Sequence, residues 1–285
     1  MKKLLIQLDT DPLPSTFDRV VASDAGADEI FAYGGVTPEA VTALVHGAIF
    51  TRKASELNHT AIFVGGSQVE AGEAVYRAVR KAFFGPLRVS VMMDSNGSNT
   101  TAAAAVVSAA KHLDLSQITA TVLGGTGPVG CRAAQLLASL GTRVNVVSRS
   151  EEKANDVCER LGKDVDRTLL TPVGATTSDA ILTAARDSRL LISAGAAGVE
   201  LLPADAWSSL KTLSVAIDVN AVPPLGLGGI EVMDKGKDRG GVICYGAIGV
   251  GGTKMKIHHA CLRKLFESNT QEFDTQAIFA VARES

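Results

Sequence analysis

The chain has 285 residues, 46% hydrophobic and 20% charged, with 28 glycines against 9 prolines and few aromatics; this excludes a disordered chain or a β-sandwich and suits a largely parallel α/β protein of two domains. Its 28 basic and 30 acidic side chains give a formal net charge of -2, and the basic residues are scattered rather than gathered in a stripe, which excludes nucleic acid as a partner. The four cysteines, Cys131, Cys158, Cys244 and Cys261, show no C-x-x-C spacing, so no disulfide is expected and the compartment reads as reducing and cytoplasmic.

The chain opens on "MKKLLIQLDTDPLPS", where acids and prolines follow a short apolar run at once, so neither a signal peptide nor a membrane span is expected. Strand-length apolar runs then alternate with segments of helical period, the pattern of a parallel sheet. Strands are expected at "KLLIQL", "EIFAY", "TAIFVGG" and "RVSVMMD", with helices at "STFDRVVASDA", "TPEAVTALVHGAIF" and "VEAGEAVYRAVRKAFF". Thr37, Pro38 and Glu39 read as the cap, first residue and first-turn acid of the second helix. The fourth strand runs into "DSNGSNTTAAAA", seven small polar or glycine residues after Asp94 and then a helix, with Ser98 or Asn99 as its expected cap.

A second series follows: strand "ITATVL", a glycine turn, helix "AAQLLASL", strand "RVNVV", helix "EEKANDVCERL", and strands near "LLISAG", "LSVAIDV" and "GVICYGA". Two tail helices, "KIHHACLRKLFES" and "TQAIFAVARE", are expected to return to the first domain and leave a cleft between two lobes.

The turn "VLGGTGPVG" places Gly125, Gly127 and Gly130 in the G-x-G-x-x-G pattern between a strand and a helix. Such glycines allow a tight turn, close approach of a pyrophosphate, and close helix packing, with the helix N-terminus facing the phosphates. Thr126, Pro128 and Val129 belong to the same cradle. Where an NAD site carries an acid at the end of the next strand, this chain has Ser148 and Arg149, with Lys153 beyond. An acid would repel a 2′-phosphate and a guanidinium pairs with it, so the expected cofactor is NADP. Later strand ends, "SAGAAG" with Ala194 and Gly195, "DVNAVPPLG" with Asn220, and "YGAIGVGG" with Ala247, read as loops along the nicotinamide half.

There is no G-x-S-x-G, H-E-x-x-H or P-loop lysine, and no metal-ligand spacing among five histidines, so no metal is expected. His258 and His259 are adjacent on a helix, so at most one faces a site. By residue type alone His258 reads as a surface histidine and Phe17 as a core phenylalanine.

Taken together, "QLDTDPLPSTFD", "AIFVGG", "MDSNGSNTTAAA", "GTGPVG", "AGAAGVELLP", "NAVPPLGLGGI", "DKGK" and "GGTKMKIHHACLRKLFES" resemble the NADP-dependent methylene-tetrahydromethanopterin dehydrogenases of bacterial one-carbon metabolism. The resemblance covers essentially the whole chain. It implies oxidation of the methylene bridge of methylene-tetrahydromethanopterin, in some members also methylene-tetrahydrofolate, to the methenyl form. It also implies a homotrimer, a fold related to methylene-tetrahydrofolate dehydrogenases, and an active site in a crevice between two domains. The family's site residues fall on Phe17, Thr101, Lys254 and His258, with Phe17 walling the pterin and Lys254 orienting its polar atoms. One departure is "VSRS", where relatives have "CGRK" or similar: the arginine is kept and a neighbouring lysine is absent.

The expected architecture is therefore an N-terminal parallel-sheet substrate domain, residues 1–112 completed by 255–285, and a Rossmann-type dinucleotide-binding domain, residues 113–254. Ser95, Asn96, Asn99 and Thr100 are expected to form the floor where pterin meets nicotinamide. Hydride loss from a carbon between two nitrogens moves no proton, so the absence of an acid/base dyad is consistent with direct transfer at a separation of ~3 to 3.5 Å. The competing readings are a tetrahydrofolate-specific dehydrogenase, a shikimate-type dehydrogenase, which needs a Lys-Asp pair not evident here, and a non-catalytic NADP-binding redox sensor.

Overall fold

The computed structural model describes residues 1–284, which divide into two compact units: Met1–Thr100 with the segment from Met255 onward, and Thr101–Lys254. The change of unit falls inside a helix, at Thr100, about three helical turns before the boundary at residue 112 expected from sequence.

The first unit begins β1 (Leu4–Asp9), α1 (Thr16–Asp24), β2 (Glu29–Tyr33), α2 (Val41–Ile49), β3 (Thr60–Gly65), α3 (Val69–Ala82) and β4 (Ser90–Met93), and leads into α4 (Ser98–Ala110). β3 is buried at every residue, as a parallel strand covered on both faces must be. Gly72, Val75, Tyr76 and Val79 form the buried stripe of α3 at helical spacing. Val75, Tyr76 and Val79 pack with Val41, Val45 and Ile49 of α2 against Leu8, Ile62 and Val91 of the sheet. α2 starts later than expected. Residues 38–40 form a turn closed by the Ala40 amide donating to the Thr37 carbonyl at 3.0 Å. The Thr37 hydroxyl bonds the Glu39 carboxylate, lowering its pKa, and so does not cap a helix.

The second unit follows with β5 (Thr119–Leu123), α5 (Pro128–Ser139), β6 (Arg143–Ser148), α6 (Glu151–Leu161), β7 (Leu170–Gly174), α7 (Ser178–Ala185), β8 (Leu190–Ser193), α8 (Ala204–Ser208), β9 (Val215–Asp218), β10 (Lys235–Arg239) and β11 (Val242–Tyr245). α9 (Ala247–Lys264) runs from this unit back into the first, which β12 (Glu272–Phe273) and α10 (Thr275–Glu284) complete. The segment "YGAIGVGG", expected as a loop, is therefore the end of β11 and the first turns of α9. All four cysteines are buried and free, and burial pushes the thiols of Cys244 and Cys261 up to about 12.

The first sheet has five parallel strands in the order β12-β4-β3-β1-β2. The second has seven, β10-β11-β9-β8-β5-β6-β7, parallel except for the β10–β11 pair. Without β10 the second order is that of a doubly wound dinucleotide fold, with its reversal between β5 and β8; the first sheet reverses between β1 and β3. Ligands in such sheets lie beyond the carboxyl ends of the strands flanking the reversal. No described helix is long and apolar enough to cross a membrane.

Candidate active site

In the second unit, the reversal is occupied by the glycine turn. The left-handed residue is Gly124, at φ +67, one place before the glycine assigned to the tight turn from sequence. A Cβ there would stand 2.5 Å from the Ala194 carbonyl oxygen, so the end of β8 is backed directly onto the turn. Gly130 allows the other close approach, a Cβ on it reaching 2.3 Å from the Gly124 oxygen. α5 starts at Pro128 after the N-cap Gly127, with no side chain capping it. Its first amides therefore face outward as an anion site, the arrangement that suits a pyrophosphate.

The structure brings Thr126 to Ser148, their hydroxyls 3.3 Å apart, which joins the glycine turn to the end of β6. Arg149 is exposed beside them and Lys153 lies exposed on the first turn of α6. The cap of α6 is Ser150, whose hydroxyl accepts from the Lys153 amide at 3.2 Å; sequence reasoning passed over it. Across the reversal, the loops after β8 and β9 are tied together. Asn220 donates from Nδ2 to the Ala196 carbonyl at 3.3 Å. Asp218, fully buried at the end of β9, accepts from the amides of Asn220 and Leu227 at 3.0 and 2.8 Å. Burial raises its pKa against the pull of those donors. Ala194 and Gly195 lie half-buried in this loop pair and Ala247 begins α9. Thr126, Gly127, Ser148 and Arg149 thus gather at the carboxyl ends of β5 and β6, with the β8 loop backed onto the same glycine turn.

In the first unit, the carboxyl ends of β1, β3 and β4 carry the other group. Phe17, on the first turn of α1, is 51% exposed, so it is not the core residue its type suggests. His258 is 1% exposed. Its ring stacks on Phe63 of β3 with centroids 5.7 Å apart and lies 6.5 Å from Phe17. An exposed aromatic is thus backed by two buried rings, a surface on which a flat heterocycle can stack. Lys254 precedes His258 by one turn of α9, on the same face.

The loop after β4 departs from expectation. Ser95, Asn99 and Thr100 are fully buried and spend their side chains on the protein. Ser95 donates to the Gly65 carbonyl and Asn99 to that of Met93, while Thr275 donates to Asn99 Oδ1. These three shape the floor rather than present it. Asn96 is exposed, with a left-handed backbone at φ 55, a conformation asparagine tolerates better than most residues.

The residue that holds this loop is Asp94, which sequence reasoning did not single out. It is 1% exposed; its Oδ1 accepts from the amides of Asn99 and Thr100 at 2.9 and 3.1 Å, and its Oδ2 from the Thr100 hydroxyl at 2.6 Å. It therefore caps α4 in place of Ser98 or Asn99. Thr101, the next residue of α4, is the first residue of the second unit. Among the described residues no cluster of His, Cys, Asp or Glu could hold a metal ion.

Known proteins share both halves. A family model described as "Methylene-tetrahydromethanopterin dehydrogenase, N-terminal" matches residues 16–96, the segment from Phe17 to Asn96 included. The chain is 48% identical over 287 aligned residues, 99% of each protein, to the bifunctional protein MdtA of Methylorubrum extorquens. It is 34% identical to the NAD(P)-dependent methylenetetrahydromethanopterin dehydrogenase of the same organism, over 89% of this chain and 88% of that one. Among solved structures, shikimate 5-dehydrogenase from Listeria monocytogenes superposes with a TM-score of 0.53 at 15% identity, covering 98% of this chain and 96% of that one, which is a likeness of fold. Over nearly its whole length, then, the chain belongs to the methylene-tetrahydromethanopterin dehydrogenase family.

Proposed function

We propose that the protein oxidises the methylene bridge of methylene-tetrahydromethanopterin, and to some extent of methylene-tetrahydrofolate, to the methenyl form with NADP+ as acceptor. The observation that supports this reading is the ring surface of Phe17, His258 and Phe63 at the reversal of the first sheet, in a chain whose second sheet carries a glycine turn at its own reversal. When bound, NADP+ supplies the hydride acceptor. The chain's own residues then have positioning work to do, since no proton moves at the bridge. Phe17 walls the pterin, Asn96 and the backbone of its loop meet polar atoms, Thr101 and Lys254 orient the carrier, and Ser148, Arg149 and Lys153 hold the 2′-phosphate. The first unit serves the carrier and the second the dinucleotide, and the chain works as a cytoplasmic homotrimer, the state of the enzymes it resembles. Light scattering should return three times the chain mass.

The direct test follows reduced cofactor and methenyl product together, with each carrier and with NADP+ or NAD+. Turnover with tetrahydromethanopterin and NADP+ is expected; turnover with neither carrier under either cofactor would overturn the assignment in favour of a binding role. Arg149→Ala is expected to raise the KM for NADP+ by about 10-fold or more while leaving NAD+ kinetics unchanged, because only NADP+ carries the phosphate that a guanidinium pairs with. Phe17→Ala is expected to raise the carrier KM by about 10-fold, with a stability change under ~1 kcal/mol since the ring is half exposed. Thermal melts beside the kinetics separate the two effects.

A further inference from the structure

Four carboxylates stand at the carboxyl edge of the first sheet: Asp9, Asp11, Asp18 and Asp94. Three of them build the loops. Asp9 is buried and accepts from Gln7 Nε2 and from the amides of Asp11 and Ser15 at 2.9 to 3.2 Å. Asp11 receives both the amide and the hydroxyl of Ser67 at 2.9 Å, and Asp94 fixes the loop after β4. Asp18 stands on a helix rather than in a loop. It follows Phe17 on the first turn of α1 and is half-buried. Its Oδ2 lies 3.5 Å from the point where a Cβ on Gly65 would stand, and Phe63 Cε1 and Asp9 Oδ2 are each 3.3 Å from that same point. Asp18 therefore lies beside Gly65 at the end of β3, in the neighbourhood of Phe63, whose ring stacks on His258.

We infer that Asp18 stabilises the positive charge that the reaction creates, an inference that rests on the dehydrogenase reading above. The bridge C–H bond breaks with its electron pair leaving to the oxidised nicotinamide. The carbon is left in an amidinium cation shared by its two nitrogens, and no proton moves. The substrate bridge is neutral and the product bridge carries one positive charge, so a fixed carboxylate nearby favours the transition state over the ground state. In a partly desolvated site that preference exceeds what the same charge gives in water. Lys254 supplies the opposite sign and cannot do this. A first-turn acid also favours its own helix, but that contribution does not distinguish one carrier form from another.

The test measures equilibrium binding of two ligands by the full chain without dinucleotide: methenyl-tetrahydromethanopterin, which carries the cation, and tetrahydromethanopterin, which does not. Asp18→Asn is expected to weaken the methenyl form by about 10-fold or more and to leave the tetrahydro form within about two-fold, with NADPH affinity unchanged as the control for folding. Asp18→Glu should restore most of the preference for the cation, and Asp18→Ser is a second neutral variant if Asp18→Asn does not fold. Equal weakening of both ligands would mean that Asp18 recognises the pterin itself, and no weakening would remove it from the site; either overturns the inference. Failure of the unaltered protein to bind either carrier form would instead overturn the dehydrogenase reading and the inference with it.

Discussion

Gly124→Ala should abolish NADPH binding and lower the melting temperature by several degrees. An alanine at φ +67 costs about 1 to 2 kcal/mol by itself. Its Cβ would also meet the Ala194 oxygen at 2.5 Å, the Ala194 carbonyl carbon at 2.7 Å and Gly195 Cα at 2.8 Å, all backbone atoms without a rotamer to turn. Relief requires the end of β8 to withdraw from β5, at a further cost of about 1 to 3 kcal/mol. For a chain of this size each kcal/mol is worth roughly 2 to 4 °C. Gly127→Ala is the matching control, since its nearest atoms are 3.2 and 3.6 Å away: it should melt close to the unaltered protein yet bind dinucleotide more weakly, the added methyl standing where phosphate approaches. Fluorescence titration with NADPH beside a thermal melt reads both. An unaltered affinity in Gly124→Ala would show that the β8 loop does not bear on the cradle.

The second large effect is expected at Asp94. Asp94→Ala removes the acceptor of two buried amides and one buried hydroxyl. Unsatisfied buried donors cost about 1 to 3 kcal/mol each, so a loss of more than ~3 kcal/mol is expected, together with loss of carrier turnover as Asn96 leaves its left-handed conformation. Asp94→Asn keeps an oxygen for both amides and presents an N–H to Thr100, whose hydroxyl can accept in turn; it should cost only about 1 kcal/mol. Denaturant melts rank the three proteins. If Asp94→Ala matches Asp94→Asn in stability, the loop is held by something other than this carboxylate.

Why Asp94 escaped notice in the sequence is instructive. An acid at the end of an apolar strand reads as the strand's polar stop, and the serines and asparagines after it look like better caps. What decides is burial: with Asn96 turning the chain back, the carboxylate falls over amides five and six residues on. The strands and helices that build each sheet's centre were legible, because β3, β5, β6 and β8 are apolar runs and α3 and α6 carry their stripe at helical spacing. The edges were not. β7 contains Pro172, tolerable where a strand has a single neighbour. β10 reads KGKDR and shows no apolar period, and β12 has only two residues. The glycines at the start of α9 signalled a loop, yet the close approach of Gly246 and Gly249 to the backbone of residues 231–234 explains them within and beside a helix. Phe17 could be placed from family resemblance and not from residue type, since an aromatic on an amphipathic helix is more often inside.

The return of the chain to the first sheet has a consequence for biosynthesis. β12 pairs with β4 across roughly 180 residues of sequence, held by Ser90 Oγ donating to the Ser268 carbonyl and the Val91 amide donating to Gln271. The second unit is one unbroken stretch and is complete while the first unit still waits for its own closing strand and helix. During that interval β4 stands as an open edge of the sheet, the kind of surface on which chains pair wrongly. Domains fold in the order they are completed, so here the middle of the chain is finished before its beginning. The span of translation between Lys254 and Glu284 is then the period in which the nascent protein most depends on being kept apart from its neighbours.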